Sequence, residues 1–367
     1  MKIIIQSILL LSTGLATAAI TVTQDFGAEL TRLSNNQRQE YFKKSEGPTP
    51  TGKTPFEKAF RLVQEGNHAD AAAGFKKLSD SGDPDATCAL ASLHILGLGV
   101  DQSTEAARAL FEKAADRNHP VAMLELAMLV EKEDPQEAFR LYQRAGTAGQ
   151  SLANLKLGHC YETAGLGAPK NPKLAFSFYE KSANAGVGVA KGELARCYDS
   201  GLGTSPDPER ATKLYREAGL SGVVGAQLAM AERYFAGQGV EEDRVEAVRW
   251  LTGASQNGSA DAQVLLGDCF AKGDAVDQDY GRAGSFYSAA AKKGDPVGRQ
   301  RLAGLYRDGK GTPKDPIRAY VILSQAKGHP LVDKDLKDIV DSFTREQLKI
   351  AQAKFAELEV EKKSGEK

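Results

Sequence analysis

From about residue 53 onward, apolar and small residues recur at the three-and-four spacing of helices that bury one face, and that spacing itself repeats. The landmark is a glycine after each helical run: Gly82, Gly149, Gly186, Gly222, Gly258, Gly294 and Gly328, with Asn118 in place of one. Successive intervals are 36, 31, 37, 36, 36, 36 and 34 residues. Four residues after the landmark stands a small residue, as at Ala153 and Ala190, and eight after a large apolar one, as at Leu157 and Leu194. The ninth position is always Gly or Ala, and the twelfth is mostly aromatic: Tyr161, Tyr198, Tyr234, Phe270 and Tyr306. These positions share one face of a first helix, A, whose small residues form a groove that a neighbouring helix can enter closely.

A second register marks another helix, B. Asn67, Ser103, Asp134, Asn171, Asp207, Asp243, Asp279 and Asp315 stand where a side-chain oxygen can cap free N–H groups, and each is followed four residues later by alanine. Pro135, Pro172, Pro208 and Pro316 fill the first helical position, where a missing N–H costs nothing. Between A and B lies a Gly-x-Gly turn, read at Gly97 and Gly99, Gly165 and Gly167, Gly201 and Gly203, Gly237 and Gly239, and Gly309 and Gly311. Glycine there takes the positive φ that ends a helix. The Lys310 between the last two has Leu or Gln counterparts, so the turn needs no cation and is not read as a phosphate loop.

One helix pair cannot bury its apolar face alone, whereas stacked pairs share a continuous core. The expected fold class is therefore all-α: an α-solenoid, a right-handed superhelix of about eight helix-turn-helix repeats over 53–330. A capping helix pair is expected over 331–361, with Thr344 and Gln347 as a capping box. The tail, 362–367, reads as disordered. Ahead of the array, 1–18 reads as a cleavable signal peptide: Lys2, an apolar stretch over 3–15, then Ala16-Thr17-Ala18. Residues 19–52 read as a flexible segment with a short helix over 28–42. The expected location is outside the cytoplasm, periplasmic or secreted, with no membrane span after cleavage.

Charge narrows the function classes. The 47 basic and 48 acidic side chains nearly cancel, which leaves no footprint for nucleic acid. Four cysteines, Cys88, Cys160, Cys197 and Cys269, form no C-x-x-C pair, and three share the eleventh position of helix A. They read as small core residues, as a bridge between adjacent repeats if stacking tightens, or as redox-active thiols, in that order.

Units such as AKGELARCYDSGLGTSPDPERATKLYREAGLSG, residues 190–222, resemble the Sel1-like repeat family, relatives of the tetratricopeptide repeats. The resemblance covers about three quarters of the chain; the unit over 121–149 is short and lacks the Gly-x-Gly turn, and the first, 54–82, is a more generic repeat. It implies an adaptor that binds proteins or peptides. Cysteine-rich exported members pair the two helices of each repeat by disulfides and are credited with β-lactam or peptidoglycan binding. Here helix B carries no cysteine partner, so that subgroup is a poor match.

Enzymatic motifs are sparse. The S-x-x-K at Ser324 and Lys327 has no accompanying S-D-N or K-T-G. Five scattered histidines show no metal-ligand spacing. The acidic run over 273–281 lacks calcium-loop spacing, and His94 reads as a packed residue. No cofactor or metal is expected. The reading is an exported, non-catalytic scaffold; the alternatives are a β-lactam- or peptidoglycan-recognising envelope protein and a structural spacer in an envelope assembly. In tetratricopeptide-like arrays helix A lines the concave side. Positions seven and ten are expected to point off the packing face, giving a strip that includes Lys156, His159, Glu193, Arg196, Glu232, Asp268 and Arg301. This strip is the candidate binding surface for a protein or peptide partner.

Overall fold

The structure, a computed structural model, describes residues 54–365, with side chains as far as Glu361. The signal-peptide reading over 1–18 and the segment over 19–52 lie outside the described residues. Within them the chain is all-α, with eighteen α-helices, one 3-10 turn and no strand. The A- and B-helices alternate: α1 (Pro55–Gln64), α2 (His68–Asp80), α3 (Pro84–Leu96), α4 (Thr104–Ala115), α5 (Pro120–Val130), α6 (Pro135–Thr147), α7 (Ser151–Thr163), α8 (Pro172–Asn184), α9 (Gly188–Ser200) and α10 (Pro208–Leu220). Then follow α11 (Val224–Ala236), α12 (Arg244–Gln256), α13 (Ala260–Lys272), α14 (Tyr280–Lys292), α15 (Pro296–Asp308), α16 (Pro316–Ser324), α17 (Pro330–Ser342) and α18 (Arg345–Gly365).

The described residues form two compact units, 54–211 and 212–365, divided inside α10. Consecutive helices pack on one another from α1 to α9 and from α11 to α17, and α18 packs on α16. Odd-numbered helices are A and even-numbered ones B. The A-helices α3, α5 and α7, enclosed on several sides, are buried nearly all round along their middle turns. In α7 every residue from Leu152 to Gly158 is buried, polar Asn154 and Lys156 included.

Helix B enters through the small residue at the ninth A position. A methyl placed on Gly158 would lie 2.6 Å from the Tyr179 ring of α8, and one on Gly267 would lie 2.4 Å from the Tyr287 ring of α14. Both tyrosines stand eight residues after their caps and are almost wholly buried. This position reads Phe75, Phe111, Tyr142, Tyr179, Tyr215, Leu251, Tyr287 and Leu323 along the array.

The caps at Ser103, Asp134, Asn171, Asp207, Asp243, Asp279 and Asp315 each accept the N–H three residues on. Asn67 occupies the place without a side-chain bond. Asn118 takes the glycine's left-handed conformation with φ 58°. The capping box at Thr344 and Gln347 is present in both directions. The α18 helix continues to Gly365, past the expected end at 361.

One turn is corrected by a residue. The conformations held by Gly201 and Gly203 elsewhere are held here by Ala164 (φ 59°) and Leu166 (φ 55°); of the two expected glycines, Gly167 takes positive φ (77°) and Gly165 does not. A thirteen-residue α7 places its C-cap at Ala164, so helix length sets the turn, and the glycines fall one position late. In the seventh repeat Ala275 likewise replaces the second glycine, with φ 63°.

The second glycine does more than adopt positive φ. A Cβ on Gly203 would sit 2.1 Å from the Pro172 carbonyl oxygen, at the start of the preceding B-helix. Gly186, by contrast, has φ 88° and nothing within 4 Å of such a Cβ. Gly186→Ala should therefore cost about 1–2 kcal/mol of left-handed strain. Gly203→Ala should cost at least about 1 kcal/mol more, because backbone must move. Urea unfolding midpoints compare the two, and equal losses would contradict the close approach.

Candidate functional site

The candidate strip is a set of ion pairs rather than a row of solvated charges. Lys156 on α7 donates to Glu131, the C-cap of α5, at 2.7 Å. Arg196 on α9 binds Glu162 of α7 at 2.5 Å and Glu193 of its own helix at 2.9 Å. Arg301 on α15 donates to Asp268 of α13 at 3.1 Å. In each case a cation on one A-helix reaches an acid on the A-helix before it.

A tyrosine completes each cluster. Tyr142 donates to Glu131 at 2.8 Å, Tyr179 to Glu162 at 2.8 Å and Tyr287 to Asp268 at 2.6 Å. The Tyr179 and Tyr287 rings are the same ones that fill the glycine notch of helix A. One carboxylate thus joins the B-helix of its own repeat to the A-helix of the next. The acid stands at position thirteen in two clusters and ten in the third, and the cation at seven or ten. One helical turn of slippage is absorbed by side-chain length.

The expectation that position seven points off the packing face is corrected at two residues. Lys156 and Glu193 are buried, at 5% and 9% exposure, because the A-helices approach closely enough for a charge there to meet its neighbour. His159, Arg196, Glu232, Asp268 and Gly304 at position ten are half-buried, as is Arg301 at position seven. Sequence reasoning passed over Tyr142, Tyr179, Tyr287, Glu131 and Glu162. Their signal is the tyrosine that replaces Phe or Leu eight residues after a cap, in repeats whose A-helix register carries an acid at position ten or thirteen.

Burial and charge set the protonation pattern. Burial pushes the Glu162 carboxyl up, but the hydrogen bond and charge of Arg196, with the Tyr179 hydroxyl, outweigh it and the net shift is downward. Glu193 shares the same guanidinium but is raised, because burial outweighs the pull of Arg196. Burial also raises Tyr142, Tyr179 and Tyr287, with the adjacent acids adding to the effect. The His159 imidazole is lowered by burial and by Lys156.

The remaining candidates resolve individually. Cys88, Cys160, Cys197 and Cys269 are all buried and form no disulfide among the described residues; burial lifts Cys160 to about 11 and Cys197 and Cys269 to about 12. Such thiols are held protonated and act as small apolar groups. Ser324 is 9% exposed, and its Oγ has no hydrogen-bond partner among the described residues. A base to activate it is thus missing from its hydrogen bonds. Lys310 lies 5.9 Å from the Tyr280 ring centroid. His94 bonds the Asp101 carbonyl oxygen across its A–B turn, and Asp279 caps α14. Among the described residues no cluster of three or more His, Cys, Asp or Glu is placed to hold a metal.

Comparison with known proteins agrees with this geometry. The family model described as Sel1 repeat matches seven times, at residues 84–119, 120–150, 151–187, 190–223, 224–259, 260–295 and 297–327. The chain is similar to a Sel1 repeat protein from Oxalobacter formigenes, with 23% identity, 90% of this chain and 93% of that one covered, and a TM-score of 0.62. It is also similar to c5321, a protective antigen of uropathogenic Escherichia coli with an SLR fold. There the identity is 19%, the coverage 92% and 84%, and the TM-score 0.51. No curated protein sequence matches the chain.

Two substitutions test the shared-carboxylate clusters. Tyr179→Phe should cost about 1–2 kcal/mol, since it removes a hydrogen bond to a charged, partly buried group. Tyr161→Phe should cost less, because that hydroxyl meets only Gln143, at 3.4 Å. Equal losses in urea unfolding would contradict the clusters. Glu193→Gln tests the titration. A raised folded-state pKa gives stability that is present in acid and lost as pH rises through the folded value. Stability–pH curves of wild type and variant should therefore coincide near pH 4 and diverge toward pH 7, with the variant the more stable at neutral pH. Divergence in the opposite sense would contradict the assignment.

Proposed function

The chain belongs to the Sel1 repeat family, and on that premise we propose that it is a non-catalytic interaction scaffold that holds a protein or peptide segment along its A-helix faces. The observation that carries this is the half-exposed tenth position, repeated at helix-pair spacing: His159 and Arg196 in one unit, Glu232, Asp268 and Gly304 in the other. Within each unit, a surface sampled once per repeat suits an extended segment that is contacted step by step.

The ion pairs refine the chemistry of that surface. Lys156, Arg196 and Arg301 are already matched by acids, so the row offers neutralised polar steps and open small ones. At Gly304 a Cβ would meet nothing within 4 Å. Such a row selects by fit and main-chain hydrogen bonding more than by net charge. Balanced overall charge argues against a nucleic-acid partner. The scaffold works outside the cytoplasm, periplasmic or secreted, on the strength of the apolar leader. Among the described residues no helix is long and apolar enough to cross a membrane.

A photo-crosslinking residue placed at Gly304 or Glu232 should capture a discrete partner from native envelope or culture medium. The same residue at Arg249, whose side chain is 72% exposed on α12, is the control. Adducts from the A-helix positions and none from Arg249 are expected. Equal labelling, or adducts from Arg249 alone, would overturn the reading.

A further inference from the structure

A cleft of about 400 Å³ opens at the turn between α13 and α14, lined by Phe270, Val276, Asp277, Gln278, Asp279 and Arg282. Its floor is apolar, from Phe270 and Val276. Its rim is polar and unevenly committed. Asp279 is occupied twice, capping α14 and pairing with Arg282 at 3.5 Å. The Arg282 guanidinium lies 5.4 Å from the Phe270 ring centroid, so its charge is both neutralised and held against an aromatic face. Asp277 is exposed and makes no hydrogen bond or ion pair among the described residues. It is the uncommitted charge of the cleft.

The neighbouring turn extends the same sign. Arg244 at the start of α12 binds Asp274 at 2.5 Å and so ties the turn before α12 to the turn before α14. Across residues 241–246 and 274–282 there are seven carboxylates (Glu241, Glu242, Asp243, Glu246, Asp274, Asp277 and Asp279) against two guanidiniums, Arg244 and Arg282. Lys272 ahead of the turn and Lys310 over the Tyr280 ring offset part of this, but the chain as a whole is nearly neutral, so a local acidic excess remains.

We propose that this cleft, with Asp277 on its rim, receives a lysine or arginine side chain from a basic segment of the scaffold's protein partner. The aliphatic stem of such a side chain covers Phe270 and Val276 while its charged head stays at the wet rim beside Asp277. A fully apolar side chain would leave Asp277 unmatched, and an acidic one would be repelled by it. The inference rests on the scaffold reading and names the chemistry of the partner it holds.

The test uses the full mature chain and a fluorescent peptide of about a dozen alternating lysines and alanines, with a glutamate–alanine peptide as control. Binding is followed by fluorescence anisotropy at low and moderate salt. The lysine peptide should bind and the glutamate peptide should not. Asp277→Lys should weaken binding at least about fivefold, and Asp277→Asn by less, as expected of one rim charge. Glu180→Lys, the same charge change at an exposed site on α8, should leave binding unaltered. Melting curves establish that each variant is folded. Failure of the lysine peptide to bind, equal binding of both peptides, or equal weakening by Asp277→Lys and Glu180→Lys would each overturn the proposal. The two readings fail separately. Partner adducts at Gly304 that are indifferent to Asp277 remove the cleft and leave the scaffold. Asp277-dependent peptide binding without adducts at Gly304 or Glu232 moves the binding surface to the turn edge.

Discussion

The seating of a B-helix ring in the glycine or alanine notch of its A-helix is the contact on which the other features depend. Gly158 and Gly267 have no side chain because the rings of Tyr179 and Tyr287 occupy that space. The gain is burial of a whole aromatic ring, of order 2–3 kcal/mol per repeat by transfer arithmetic. The cost is a glycine inside a helix, about 1 kcal/mol relative to alanine. Burial wins by a modest margin in the two repeats whose notch is glycine; where the notch is alanine, that helix-propensity cost is absent.

Close packing has an electrostatic consequence. Once the ring is seated, the tyrosine hydroxyl emerges beside the last turns of helix A, where it bonds Glu131, Glu162 or Asp268. Each acid is drawn from water, and a cation from the following A-helix offsets the desolvation. The strip read as a binding surface is thus partly internal wiring between repeats. Outside that wiring, His159, Glu232 and Gly304 stay half-exposed at the tenth position, and the cleft beside Asp277 lies at the turn edge. The same economy explains Glu193: one guanidinium serves two carboxylates, and the more buried one is left with a raised pKa.

Much of this was legible in sequence because it repeats. Eight caps, seven landmark glycines and seven small-residue notches fix the helix pairs, and Asn118 could be placed in a glycine's conformation by register alone. The turn at Ala164 and Leu166 was misplaced by one residue, since glycine identity was followed where helix length decides. Side-chain pairing was the least legible. A carboxylate reached equally from position seven or ten of the next helix leaves no fixed interval to find, as Lys156 and Arg196 illustrate. Burial of Lys156 and Glu193 was hidden for a related reason, because charged residues carry an expectation of solvent that only the approach of a neighbouring helix reverses.

The most direct measurement is the stability of Gly158→Ala in two backgrounds, one with Tyr179 and one with Tyr179→Leu. If the notch is shaped by the ring, alanine destabilises by about 1–3 kcal/mol when Tyr179 is present, as overpacking does. With leucine at that position, the clash is gone and alanine becomes neutral or stabilising through its helix propensity. Alanine that stabilises both backgrounds alike would contradict the account.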